Sequence, residues 1–138
     1  MRSLSARSAG SGLPPLLAEL IKIRASQLNG CAYCLDMHTK DARALGETEQ
    51  RIYALDAWRE TSFYSDAERA TLAFTEAVTV LDHGEIPDHL FEALRQHFDE
   101  AVVGKILLAV VVINAWNRLM IAQRPAVGGY VSPHRPHA

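Results

Sequence analysis

The 138-residue chain carries 14 Lys and Arg against 16 Asp and Glu, for a formal net charge of -2, and 49% of it is hydrophobic. That length suits one domain with a core of its own, so a single domain over residues 1–138 is expected, with irregular tails at 1–12 and 126–138. Scattered basic residues on a nearly neutral chain make no electrostatic case for nucleic acid. The start, Met1-Arg2-Ser3-Leu4-Ser5, lacks the apolar stretch of a signal peptide. The longest unbroken apolar run, residues 106–113, is far short of the roughly 20 residues that span a bilayer. No membrane association is expected. The chain has only two cysteines, which is the usage of a reducing, cytoplasmic setting.

The first dozen residues, rich in Ser, Arg and Gly, read as unstructured. Pro14 and Pro15 then suit the first turn of a helix. Leu16, Leu20 and Ile23 fall on one side of it, Leu17, Ile21 and Leu28 widen the stripe, and Asn29-Gly30 ends it. A second helix starts at Cys31 or Ala32 and runs to Leu45, with Gly46 as its stop. Thr48 caps a third helix reaching Trp58 or Arg59. Ser65-Asp66-Ala67-Glu68 has capping-box spacing, so a fourth helix runs from Asp66 to about Leu81 with Leu72, Ala73, Val78 and Leu81 on its buried face. His83-Gly84-Glu85 is a turn, and Pro87 opens a fifth helix carrying Leu90, Phe91 and Leu94. Asp99 caps a sixth segment that ends before Pro125. Its Val- and Ile-rich stretch has no strand to pair with, and its length favours a helix apolar nearly all round, part of which is expected in a subunit interface. Gly128-Gly129-Tyr130 to Ala138 reads as loop. The fold class is therefore all-α, with about six helices.

Both cysteines lie in one motif, Cys31-Ala32-Tyr33-Cys34, with His38 four residues on. A chain that uses cysteine nowhere else is not using it to staple the fold, and the spacing points to redox or metal chemistry. At about 100° per residue, Cys34 lies about 60° round the helix from Cys31 and His38 about 20°, so all three project toward one face. A helix N-terminus favours a thiolate. His38 can take a proton from a thiol or deliver one to a leaving oxygen. Glu19 sits at the edge of the first helix's apolar stripe, and a hairpin at Asn29-Gly30 can bring it to His38, directly or through a water. Tyr33 reads as packing or a pocket wall. Trp58, Trp116 and Phe74 read as core or interface. Asn114 and Asn117, in an apolar helix, need hydrogen bonds across to other helices. His83, His89 and His97 are expected to be exposed, and His134 and His137 lie in the tail.

Glu19, the run from Lys22 through Cys31-Ala32-Tyr33-Cys34, and His38 together resemble the alkylhydroperoxidase AhpD-like, or carboxymuconolactone decarboxylase-like, family. The resemblance continues at Gly46-Glu47-Thr48, Ala57-Trp58-Arg59, Phe74-Thr75-Glu76 and Ile113-Asn114-Ala115-Trp116, and covers most of the chain from Leu16 to about Arg124. It implies an AhpD-like all-α fold assembled as a homo-oligomer, a trimer or hexamer. It also implies peroxidase activity on organic hydroperoxides through a redox-active disulfide. On this resemblance Cys34 attacks the peroxide, Cys31 resolves the product, and Glu19 with His38 forms a proton relay. The electron donor it implies is a dithiol, such as a lipoyl group on a partner protein, and it calls for no further cofactor and no metal. Where the peroxidase type carries a histidine just before the second cysteine, this chain has Tyr33, so a thiol-disulfide reductase or redox sensor is the nearest alternative. The decarboxylase branch generally lacks the cysteine pair. A third reading is a metal-binding structural module, with Cys31, Cys34 and His38 as ligands and His97 or a carboxylate as the fourth.

Overall fold

The computed structural model describes residues 1–134, and every regular element among them is helical. The α-helices are α1 (Arg2–Ala9), α2 (Pro15–Asn29), α3 (Ala32–Ala44), α4 (Glu49–Tyr53), α5 (Asp66–Thr79), α6 (Asp88–Arg95) and α7 (Glu100–Gln123), with a 3-10 helix at Leu55–Glu60. The expectation for His137 lies outside the described residues. The remaining tail, 124–134, has no regular element, in line with the loop expected there.

The caps follow the sequence. Pro15 opens α2, and Gly30 closes it at φ 69° and ψ 33°. In that left-handed turn Cys31 N–H reaches Ser26 O at 3.0 Å and Gly30 N–H reaches Gln27 O at 3.3 Å. The chain therefore reverses within two residues, and only glycine adopts such a φ without strain. Cys31 is the N-cap of α3, its sulfur accepting Cys34 N–H at 3.3 Å. Ser65 and Glu68 form the reciprocal capping box of α5, and Asp99 accepts Val102 N–H at 2.8 Å to start α7.

Helix α2 occupies the middle, packed on α3, α5 and α7. It is apolar on two sides. Leu17, Ile21 and Ala25 join Phe74, Leu94, Ile106, Val110 and both cysteines in one core. Leu20 and Ile23 join Leu55, Trp58, Tyr64 and Leu72 in a second. Trp58 and Phe74 are thus core residues, as expected, and Phe74 meets Phe91 edge to face at 5.0 Å. Helix α7 is long and apolar enough to cross a membrane by length and composition alone, with a mean hydropathy of 1.6, but here it packs along α2, α5, α3 and α1. Its asparagines bridge helices: Asn117 donates to Ser26 Oγ at 2.9 Å, and Asn29 donates to Asn117 at 2.8 Å and to Asn114 at 2.9 Å.

Three expectations are corrected. Residues 2–9 form a helix rather than an irregular tail. No residue of α1 is buried, and its anchor is tertiary: the Trp116 indole donates to Ser5 Oγ at 2.6 Å. The expected third helix splits at Ala54 into α4 and the 3-10 segment Leu55–Glu60, which is itself kinked at Ala57 (φ -113°, ψ 31°). Leu55 and Trp58 stand on either side of that kink and are both buried, and the Trp58 indole donates to Glu76 at 2.8 Å. Finally, α5 stops at Thr79, so Val80 and Leu81 leave the helix and are exposed.

Asn117→Ala should remove the bonds that tie Ser26 and Asn29 to α7 at this position and lower stability by about 1–3 kcal/mol, read from urea unfolding. An unchanged midpoint would mean the asparagine bridge does not hold α7 to α2.

Candidate functional site

The left-handed turn at Gly30 places Cys31 at the cap of α3 and Cys34 one turn in, and the two are joined as a disulfide with Cα atoms 5.4 Å apart. Both cysteines are buried. They differ in what they face: Cys34 lines a cavity of about 620 Å³, whereas Cys31 is not part of its wall. The cavity wall also holds Glu19, His38 and Tyr33, with an apolar remainder from α2, α3 and α7 that includes Met37, Ile113 and Met120. Ser5, Ser8 and Ala9 of α1 close one side. His134, from the tail, also borders it.

Glu19 and His38 meet directly across the α2–α3 hairpin, Nδ1 to Oε2 at 2.8 Å, with both side chains over 90% buried. A carboxylate only accepts, so His38 Nδ1 carries the hydrogen, and in the neutral ring Nε2 is left as the acceptor. Lys22, one turn along α2, donates to the other oxygen of Glu19 at 2.6 Å. Burial is the largest influence on Glu19 and pushes its carboxyl up. The hydrogen bond and attraction of His38, with those of Lys22, outweigh it and hold the carboxyl below its ordinary value.

Sequence reasoning did not single out Lys22, Asp41 or Tyr130 for roles here. Asp41 lies one turn after His38 on α3, and ligating atoms of Glu19, His38 and Asp41 all fall within 4.8 Å of one another. That spacing was visible in the sequence. Tyr130 had no such signal: it lies 89 residues beyond Asp41 and donates to both its oxygens, at 2.9 and 3.1 Å. Among the described residues, then, the donors close enough to share an ion are Glu19, His38 and Asp41, not the cysteine-based set with His97. His97 lies beyond α6 and is exposed, and His83, before α6, and His89, within it, are exposed too.

The family model described as the carboxymuconolactone decarboxylase family matches residues 2–77. YdfG of Bacillus subtilis (strain 168), itself uncharacterised, is 53% identical over 104 residues, which are 75% of this chain and 71% of YdfG. The chain belongs to the carboxymuconolactone decarboxylase family. Among solved structures, an Agrobacterium tumefaciens protein of unknown function, suggested to be the antioxidant defence protein AhpD, superposes with a TM-score of 0.89 at 40% identity. That match covers 94% of this chain and 88% of the other. The debrominase Bmp8, solved with 2,3,4-tribromopyrrole, shares the fold at a TM-score of 0.81 and 21% identity, over 92% of this chain and 68% of Bmp8. The all-α, AhpD-like fold expected of this family member is therefore the one found.

The lowered carboxyl of Glu19 sets the sign of its pH dependence. Its ionised form contributes stability that is full above the unfolded carboxylate value of about 4.3 and is lost as pH falls through the lower folded value. Glu19→Gln should therefore flatten the loss of stability on acidification from roughly pH 5 to pH 3, followed by circular dichroism in urea. Parallel curves for variant and parent would show that Glu19 gains nothing from its partners.

Proposed function

We propose that the protein is a thiol-dependent peroxidase that reduces organic hydroperoxides through the Cys31–Cys34 pair. The observation that carries this reading is that Cys34, His38 and Glu19 share the wall of one largely apolar cavity while Cys31 lies bonded behind them.

In the reduced enzyme His38 Nε2 takes the proton from the Cys34 thiol. The thiolate attacks the outer peroxide oxygen, the O–O bond breaks, and His38 returns the proton to the departing alkoxide, releasing an alcohol and leaving Cys34 as a sulfenic acid. The Cys31 thiol then attacks the Cys34 sulfur, closing the disulfide and releasing water. Two electrons and two protons from an external dithiol restore the pair. In that step the cavity-facing Cys34 is the sulfur a dithiol can reach. Cys31 is the leaving thiolate, favoured by its place at the α3 N-cap, where it accepts Cys34 N–H. Glu19, held by Lys22, keeps His38 in the tautomer this sequence requires.

A cavity of about 620 Å³ with an apolar wall supports an alkyl or aryl hydroperoxide over hydrogen peroxide, and it has room for a lipoyl-type dithiol. Tyr33 stands at that wall in place of a histidine and leaves the relay one imidazole. This favours, as a second reading, a disulfide reductase or sensor with weak peroxidase activity. Self-association is supported by α7, where exposed Val111 lies on one stripe with half-buried Leu108, Ala115 and Leu119. The thiol cycle suits a reducing, cytoplasmic compartment.

Cys34→Ser should abolish dithiol-driven consumption of cumene hydroperoxide, and Cys31→Ser should allow one turnover that stalls at the sulfenic acid, detected by dimedone labelling. Full turnover by Cys34→Ser would refute the peroxidase mechanism.

A further inference from the structure

The segment after α7 is laced to the helix that carries Cys34 and His38. Gly128 N–H donates to Asp36 Oδ2 at 3.2 Å, and Lys40 Nζ donates to the carbonyls of Gly128 and Tyr130, both at 3.1 Å. These bonds hold Tyr130 so that its hydroxyl reaches Asp41, while the same residue borders a separate outer groove of about 560 Å³ with Thr39, Arg43 and Tyr53. Asp41 is buried, 7% exposed, and its carboxylate stands beside both His38 and Glu19. Two carboxylates around one imidazole compete for its N–H, and an unheld Asp41 would pull the ring from Glu19. The Tyr130 hydroxyl is shared between both Asp41 oxygens, and Glu19 keeps the Nδ1 hydrogen.

We propose that Tyr130 is a positioning residue of the relay: by holding Asp41 it keeps His38 paired with Glu19 and its Nε2 free toward the cavity that Cys34 lines. The inference rests on the peroxidase reading for its kinetic consequence and on geometry alone for its effect on the thiol. The phenol is suited to the task. Burial, then the hydrogen bond and charge of Asp41, with Glu19 and Tyr33 behind them, push its pKa up, so it remains a donor across the working range. The ionisable groups that surround the relay are Glu19 and Lys22 from α2, Tyr33 and Asp41 from α3, and His134 and Tyr130 from the C-terminal segment.

Tyr130→Phe keeps the ring and its packing and removes only the hydroxyl. The expected result is about a ten-fold fall in kcat for hydroperoxide with KM unchanged, the size of one lost hydrogen bond to a charged group. In a Cys31→Ser background, where Cys34 is the single thiol, the pH profile of its alkylation by iodoacetamide should shift. Asp41→Asn removes the competing charge that the Tyr130 hydroxyl restrains, so adding Tyr130→Phe to Asp41→Asn should cost little beyond Asp41→Asn alone. An alkylation profile superimposable on the parent's, or additive losses in the double variant, would overturn the proposal. If Cys34→Ser retained full peroxidase activity the peroxidase reading would fail by itself, and the alkylation profile would still decide whether Tyr130 tunes the thiol.

Discussion

The Glu19–His38 hydrogen bond is the contact on which the rest of the arrangement depends. It joins α2 to α3 with both side chains over 90% buried at the cavity wall, and it settles which nitrogen of the ring bears hydrogen. A buried carboxylate would be costly alone. Here it has an imidazole on one oxygen and an ammonium on the other, so charge and geometry are satisfied together. The hairpin exists because Gly30 reverses the chain in two residues, and the same turn delivers Cys31 to the cap of α3. One local conformation thus sets the positions of an acid, a base and two sulfurs.

The two sulfurs are chemically unequal because of where they sit. The Cys34 sulfur faces the cavity and lies one helical turn before the imidazole; the Cys31 sulfur caps a helix and accepts a backbone N–H. In the proposed mechanism the first placement serves attack on a small molecule and the second a leaving group. The cavity itself is built from pieces distant in sequence: α1, α2, α3, α7 and His134 each supply part of its wall. Helix α1, without a buried residue of its own, owes its place to the Trp116–Ser5 contact. It is the element of the wall least supported by packing.

Much of the helical order was legible in the sequence. Pro15, Gly30, Ser65 with Glu68, and Asp99 are caps whose chemistry acts within a few residues, and helices begin or end where they stand. The apolar spacing of α2 likewise reported real burial, as did part of the apolar run of α7. Prediction failed where a distant partner outweighed local preference. The kinked 3-10 segment puts Leu55 and Trp58 both into a core shared with α2, α3, α4 and α5, where Glu76 accepts from the indole. Leu81 fits the buried stripe of α5 on paper, yet the helix ends at Thr79, which meets Asn114 of α7.

The candidate site divides along the same line. Cys31, Cys34 and His38 lie within one helical turn or two, so the period of the α-helix alone put them on one face, and the short hairpin made the approach of Glu19 foreseeable. Tyr130 on Asp41, Ser5 on Trp116, and the division between a cysteine at the cavity wall and one off it depend on contacts across roughly the whole chain. Local spacing is written in the order of residues, since backbone geometry converts it directly into direction. Which remote side chain closes a cavity is settled only when all the helices pack, because that choice depends on the shapes and charges of every surface that meets there.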